Sequence, residues 1–479
     1  MNYLVSIGLE IHTTVFSKRK MFSNALNSST APVNSCVAYL DLGLPGTLPV
    51  VNLIVVHKAL QLGHFLNMKL NYDKISFDRK NYFYYDLPKG YQISQYFHPI
   101  ATNGTIKLNQ ANKTIKINQI QIEEDTAKQL KVNDEIWLDF NRAGSPLLEI
   151  VTAPDFTNAN EVLEFLKYLK RTLVFLEISD GKIELGNLRV DVNLSLRKQQ
   201  SDPYGAKVEI KNIGSFEAVS NAINYEIKRQ SQLLDDNQII TQQTRKWDET
   251  TLTTQFLRDK SNSTGYFFMP EPNIPEFSIS EQEYQTIIAQ SAKSWLVIEQ
   301  ELLAAGLSLV EINHVLDHYE MYCLMQQLNQ HLNDWKKSYK WIANEILGFL
   351  NKSEYDLSNL KQETFEQLIA AIIAVEIKQE LNNKQVKLVF EAILLENLTL
   401  DQAVKKYDLK QITDLAFLNQ LVEQILVDNQ NKLDRFLDNA TKFEKFIIGQ
   451  IMARTKGQAN PLKAKAAYDQ TAAILLKNK

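Results

Sequence analysis

Glu10 and His12 stand two residues apart in LVSIGLEIH (4–12), so a strand over this segment projects both from one face. Residues 115–125, IKINQIQIEED, end in three acids, Glu123, Glu124 and Asp125. Alternation there groups Glu123 with Gln119 and Gln121, and Glu124 with Ile120 and Ile122, which leaves both glutamates open as site residues. Glu149 lies inside LLEIV, where a carboxylate is costly to bury unless it is paired or ligates a metal. Two glutamate oxygens with an imidazole or waters suit a hard divalent cation, most naturally Mg²⁺. Arg142 occupies a Gly/Pro turn shortly before Glu149. The stretch RKNYFYYDLPKGYQISQ (79–95) interleaves five aromatic residues with Arg79, Lys80 and Lys89. Aromatics beside cations could stack a base or an adenine and neutralise phosphates. The same stretch also reads as a strand followed by a Leu-Pro-Lys-Gly turn. Together these residues suggest a Mg²⁺-assisted, phosphate-handling site. Neither glycine-rich phosphate cradle is present, and Gly181-Lys182 runs on into Ile183. No G-x-S-x-G nucleophile elbow occurs either.

The elements that must carry these side chains are legible in part. Val5, Ile7, Leu9 and Ile11 share one face of the first segment, opposite Ser6, Gly8, Glu10 and His12. In ELGNLRVDVNLSLR (184–197), Leu188, Val190, Val192 and Leu194 oppose Arg189, Asp191 and Asn193. In AKVEIKNI (206–213), Val208 and Ile210 oppose Glu209 and Lys211. One apolar and one polar face is the habit of antiparallel sheets. Residues 158–177 and 215–233 have helical spacing, the second behind Ser215 as an N-cap. Strands and helices in this irregular order predict an α+β fold, a mixed or antiparallel sheet domain followed by helices. The chain has 479 residues, room for about three domains. We place them at 1–292, 293–350 (a helical linker) and 351–479 (a helical tail). From Glu281 onward the single proline is Pro461, and helix follows helix.

With 44% hydrophobic and 23% charged residues, a disordered chain and a coiled-coil rod are excluded. Cys36 and Cys323 are too few for a disulfide scaffold or a zinc site built on cysteine pairs. A reducing compartment fits them. No apolar run reaches the ~18 residues of a membrane helix, and the N-terminus has no signal-peptide pattern, so a cytoplasmic protein is expected. The net charge is −4, but the segment after Phe446 carries Arg454, Lys456, Lys463, Lys465, Lys477 and Lys479 against Asp469 alone. Such clustered charge attracts phosphates without reading sequence.

At these motifs the chain resembles the B-subunit family of bacterial aspartyl/glutamyl-tRNA amidotransferases. The matching strings are IGLEIH (7–12), KMFS (20–23), LGLPGTLPVVN (42–52), RKNYFYYDLPKGYQISQ (79–95) and EED (123–125). FNRAGSPLLEIVTAPD (140–155), GNLRVDVNLSLR (186–197), EIKNIGSF (209–216), TRKWDE (244–249) and KWIANEILGFLNK (340–352) follow. IIGQIMARTKGQANP (447–461) closes the series. The resemblance implies a protein that binds a mischarged tRNA and uses ATP and Mg²⁺ to phosphorylate the side-chain carboxylate of its Glu or Asp. Ammonia from a glutaminase A subunit then displaces the phosphate, and a small C subunit completes the enzyme. The mischarging aminoacyl-tRNA synthetase joins the partner list.

The family pattern points to Glu10, His12, Glu123 or Glu124, and Glu149 as the metal set. Arg142, Lys80 and Lys89 are expected to touch phosphate or carboxylate. Arg189, Asp191, Asn193, Glu209 and Lys211 would line the same cavity. Arg454, Lys456, Lys463 and Lys465 would meet the tRNA, and truncation after about residue 400 is expected to abolish tRNA-dependent activity. Three departures stand out. Relatives often carry a cysteine-based zinc knuckle near LGLPG, where only Cys36 is close here, so no zinc is predicted. Thr126-Ala127-Lys128 replaces the usual Ala-Gly-Lys after EED. Gly265 and Phe267 replace an aspartate and an arginine. Two other functions compete: a tRNA-binding scaffold without catalysis, and a stand-alone Mg²⁺-dependent phosphohydrolase or ligase. The intact acids argue against the first, the basic tail against the second.

Overall fold

The computed structural model describes residues 3–199, 201–259, 266–351, 360–409, 412–430 and 440–472. Chain contacts divide it into two units, Met1–Ile298 and Glu299–Lys479.

The first unit holds the strands β1 (Leu4–Thr14), β2 (Lys69–Leu70), β3 (Asp78–Asn81), β4 (Tyr91–Ser94), β5 (Ala101–Leu108) and β6 (Lys113–Glu124). They continue with β7 (Lys128–Val132), β8 (Glu135–Asp139), β9 (Pro146–Thr152), β10 (Leu188–Arg197) and β11 (Val208–Lys211). β12 (Gln243–Asp248), β13 (Thr253–Asp259) and β14 (Phe267–Pro270) complete the set. Its helices are α1 (Leu53–Phe65), α2 (Ala159–Phe175), α3 (Phe216–Asp235) and α4 (Glu281–Ala289); α5 (Trp295–Ala304) crosses the boundary. Among the described residues a nine-stranded sheet runs in the order β13-β12-β11-β10-β1-β9-β6-β5-β2, with β11 and β12 parallel and the other pairs antiparallel. The α+β expectation holds, and the sheet is mixed.

The strands predicted over 4–12, 184–197 and 206–213 form as β1, β10 and β11. Both predicted helices form, α2 capped by Asn158 and α3 by Ser215. The sheet is held by its apolar face. Ile7, Leu9, Ile11, Ile120, Ile122, Leu148, Ile150, Val192 and Leu194 are all essentially buried there. They belong to one core with Phe165, Leu166 and Leu169 of α2 and Val219 and Ile223 of α3. At about 25 cal/mol per Å² of apolar surface removed from water, this face supplies the main driving force that fixes the register.

Register is what the site needs from the fold. β1 is central, and its His12 lies opposite Glu149 of β9 and Arg189 of β10. Glu10 lies opposite Asp191, and Asn193 opposite Glu209. Directly opposed residues share a face, so acids from five strands collect on the side away from the core. A small sheet, β14-β3-β4, adjoins β6 and brings the aromatic stretch with it.

The second unit is helical. Ser308 and Glu311 form a capping box ahead of Leu309–Asp317. The KWIANEILGFLNK segment contains a π-helical turn, Lys340–Ile346. Near the end, Leu418, Val422, Phe443, Ile447, Ile451 and Tyr468 pack one small core. Pro461 is the first residue of helix Pro461–Ala467, where its missing N–H is no loss, and Asn460 caps it. No described helix is long and apolar enough to cross a membrane.

Candidate active site

The first cluster is His12, Glu123 and Glu149. His12 Nε2 lies 3.6 Å from Glu149 Oε1 and 3.7 Å from Glu123 Oε2. One potential ligand atom from each residue falls within 4.8 Å of the others. Glu123 is oriented by Ser94 Oγ, which donates to its Oε1 at 2.8 Å, and by Gln92 Nε2 at 3.3 Å. Burial, reinforced by the charge of Glu123, pushes the Glu149 carboxyl up to about 8, although Lys80 opposes this. Burial and the nearby Arg189 and Lys80 push His12 down to about 3. The imidazole is therefore neutral at physiological pH and keeps a lone pair for a ligand. Two hard oxygens and one imidazole nitrogen converge, with a proton retained on Glu149 against its ordinary preference. That set fits a divalent cation, which would displace the proton.

The second cluster, Glu10, Asp191 and Glu209, differs in carrying its own cation. Lys211 donates to Asp191 and lies 3.2 Å from Glu209 Oε1. Burial opposes its charge, but Asp191 and Glu209 hold the ammonium above its usual range. Thr244 Oγ1 donates to Glu209 at 2.9 Å, and Asn193 Nδ2 to Glu10 at 2.9 Å. Asn193 Oδ1 is buried with no donor among the described residues.

A third group flanks His12. Arg142 Nε and Arg189 Nη2 both donate to Asp125 Oδ2, at 2.6 and 3.0 Å. Against the upward push of burial, the two guanidiniums hold Asp125 below the usual carboxylate range. Sequence reasoning assigns Asp125 no role: the last acid of a charge run reads as a solvated turn, and only the tertiary pairing reveals it.

The remaining candidates separate. Glu124 is buried in an ion pair with Lys89 and accepts from Ile93 N at 3.0 Å, apart from the His12 cluster. Lys89 is thus engaged rather than open to a ligand. Lys80 sits 4.8 Å above the Tyr266 ring and acts on His12 and Glu149 through space. Arg79 is structural, locked to Glu271 at 2.6 and 3.0 Å. Phe83, Tyr84 and Tyr85 are exposed and line a shallow cleft of about 730 Å³. Phe267 lies on β14, and Gly265 falls outside the described residues.

In the tail the positive charge is partly neutralised. Arg454 pairs with Asp428 at 2.7 Å, and Lys465 with Glu444 and Asp469, both at 2.9 Å. Among the described residues Lys456 and Lys463 have no ion-pair partner. Lys477 and Lys479 lie outside them.

Residues 5–285 match the GatB/GatE catalytic domain, and residues 324–468 match the GatB domain. Relatives span nearly the full length. The B subunit of an aspartyl/glutamyl-tRNA(Asn/Gln) amidotransferase from Ureaplasma urealyticum is 41% identical over 463 residues, covering 96% of this chain and 97% of the relative. Proteins of the same name from Malacoplasma penetrans and Mycoplasma pneumoniae are 40% and 38% identical, with 95% and 96% of the relative covered and 96% of this chain in each case. With both domain models matched in order and His12, Glu123 and Glu149 of β1, β6 and β9 gathered at one site, the chain belongs to the GatB family of amidotransferase B subunits.

Proposed function

We propose that this chain is the B subunit of a tRNA-dependent amidotransferase. It phosphorylates the side-chain carboxylate of Glu on tRNA(Gln), or of Asp on tRNA(Asn), with ATP, and the acyl phosphate is amidated by ammonia from a partner glutaminase. The observation that carries the reading is the convergence of neutral His12 with Glu123 and Glu149. These three would hold Mg²⁺, which when bound supplies positive charge beside the phosphates. Glu10, Asp191 and Glu209 form the neighbouring acidic cluster, partly offset by Lys211.

The chemistry explains why cations surround the acids. A carboxylate is a poor electrophile, and ammonia does not displace oxide from it. A phosphate leaving group makes the displacement feasible, but forming it brings one anion against another. Arg142, Arg189 and Lys80 lower that repulsion. Their pairing to Asp125 and stacking on Tyr266 hold them in place before substrate arrives, which is the economical form of electrostatic catalysis. The buried Lys89–Glu124 pair borders the site as a neutral wall.

The relatives are B subunits by name, so partner proteins belong to the reading: a glutaminase A subunit, a small C subunit, the mischarged tRNA and the mischarging synthetase. The tail, 351–479, would contact tRNA by shape and charge, with Lys456 and Lys463 as its open cations. The boundaries 1–292 and 293–350 and a cytoplasmic location are part of the same proposal. Zinc has no part in it, because two cysteines supply too few thiolates for a cysteine-based site. Reconstitution with the A and C partners, ATP, Mg²⁺, glutamine and labelled Glu-tRNA(Gln) tests it. Wild type is expected to form Gln-tRNA(Gln), and Glu149→Ala to bind tRNA without forming product. Binding with neither product nor ATP hydrolysis in the wild type would make the chain a scaffold.

A further inference from the structure

The two arginines beside His12 come from different parts of the chain. Arg142 lies in the turn before β9, and Arg189 is the second residue of β10, on the far side of β1. Like charges do not gather without a reason, and here the reason is a single atom. Asp125 Oδ2 accepts from both, so the two donor nitrogens are no further apart than the sum of 2.6 and 3.0 Å. Asp125 is itself fixed by one hydrogen bond to its carboxylate and two to its backbone. Its Oδ1 accepts from Thr126 N at 2.9 Å, its backbone N–H donates to Ser145 O at 2.9 Å, and its backbone oxygen accepts from Gly144 N at 2.9 Å. Asp125 therefore ties the end of β6 to the very turn that carries Arg142.

The trio bears two positive charges and one negative, a net charge of +1. Asp125 is buried, while each arginine side chain is 38% exposed, so the uncompensated charge faces outward. Arg189 Nε is a second, independent sign: it is buried with no acceptor among the described residues. A buried guanidinium donor left open costs free energy unless a partner fills it. Its position opposite His12 across β1 and β10 puts it at the site.

We propose that Asp125 is a positioning residue that makes Arg142 and Arg189 a single two-guanidinium receiver for an oxyanion of the reaction. That oxyanion is a phosphate oxygen of the nucleotide or the carboxylate of the aminoacyl group. The planar fork of arginine suits both. The inference rests on the phosphoryl-transfer reading above and adds the group that organises the receiver.

The test uses the reconstituted complex with Asp125→Asn, Asp125→Glu and Arg189→Lys. Asparagine keeps an acceptor for Thr126 N but presents no anion to two guanidiniums. Asp125→Asn is expected to retain its thermal transition and lose at least tenfold in affinity for one oxyanion ligand. Weaker binding of the non-hydrolysable nucleotide AMP-PNP with an unchanged KM for aminoacyl-tRNA assigns the phosphate. A raised aminoacyl-tRNA KM with unchanged AMP-PNP binding assigns the carboxylate. Asp125→Glu should restore part of the loss, and Arg189→Lys, which keeps charge but not the fork, should reproduce it should Asp125→Asn fail to fold. Full affinity for both ligands in Asp125→Asn and Arg189→Lys, in a complex whose wild type transamidates, overturns the inference alone. A wild type that neither binds AMP-PNP nor transamidates overturns the functional reading and the inference with it.

Discussion

Replacing Glu149 with glutamine should stabilise the metal-free protein while removing its cation site. The folded protein holds the Glu149 carboxyl at about 8, whereas an unhindered glutamate ionises near 4.5. Below pH 4.5 both states carry the proton and the residue imposes no pH-dependent penalty. As pH rises the unfolded chain releases its proton and the folded chain does not, so stability falls by about 1.4 kcal/mol per unit until the folded carboxyl ionises near pH 8. At pH 7 the accumulated penalty is about 3 kcal/mol, and at pH 5 it is under about 1. The side chain is only 16% exposed, so solvent screening removes little of it. The glutamine side chain cannot ionise and avoids the penalty at every pH. With an unfolding entropy of about 2 cal/mol/K per residue over the unit Met1–Ile298, about 3 kcal/mol corresponds to a rise of about 5 °C in Tm. The assay is thermal unfolding of the full chain in chelator between pH 5 and 8, repeated with Mg²⁺. Glu149→Gln should match wild type at pH 5 and exceed it increasingly toward pH 8, and Mg²⁺ should raise Tm of the wild type alone. Parallel curves at all pH values, or a uniformly less stable variant, would refute the reasoning. The result would also show a site residue retained at the expense of stability.

Three further outcomes follow from the geometry. Mg²⁺ binding at pH 7 should release close to one proton, seen as a calorimetric heat that varies with buffer ionisation enthalpy; the apparent affinity should rise with pH up to about 8, and buffer-independent heat would contradict the Glu149 assignment. Lys20→Met should cost about 3–5 kcal/mol in urea unfolding, because it strands Asp41, whose Oδ2 receives the wholly buried Lys20 Nζ at 2.8 Å; the double variant Lys20→Met/Asp41→Leu should recover most of this. Lys456→Glu with Lys463→Glu should weaken tRNA binding and flatten its salt dependence by roughly one to two logarithmic units of slope, whereas Lys465→Glu should do less, because Glu444 and Asp469 already engage it. A larger effect from Lys465→Glu would reverse the ranking.

How far the sequence reaches can be seen residue by residue. Period-two alternation identified β1, β10 and β11 and their polar faces, because the core demands an unbroken apolar face. It could not pair His12 with Glu149, since register between strands so distant in sequence is set by tertiary packing. Nor could it choose between Glu123 and Glu124. The choice depends on β4, whose Ser94 and Gln92 orient Glu123 while Ile93 N and Lys89 hold Glu124. Helix α1 escaped because LIVVHKALQLGHF is apolar on most sides, leaving no clear helical stripe. Arg142 and Lys89 look alike as phosphate candidates, and the sequence does not show that Asp125 fixes the first with its guanidinium still 38% exposed while Glu124 buries and neutralises the second. Arg454 and Lys465 lost weight for the same reason: their acids, Asp428 and Glu444, come from other helices.

The most direct test of carboxylate activation follows oxygen. Aminoacyl-tRNA carrying ¹⁸O in its side-chain carboxylate is incubated with the complex, ATP, Mg²⁺ and glutamine, and the released inorganic phosphate is analysed by mass spectrometry. Attack of the carboxylate on the γ-phosphoryl group, followed by displacement with ammonia, leaves one carboxylate oxygen on the phosphate. One ¹⁸O per phosphate for each amide formed is the predicted result. Amide formation with unlabelled phosphate would contradict the account.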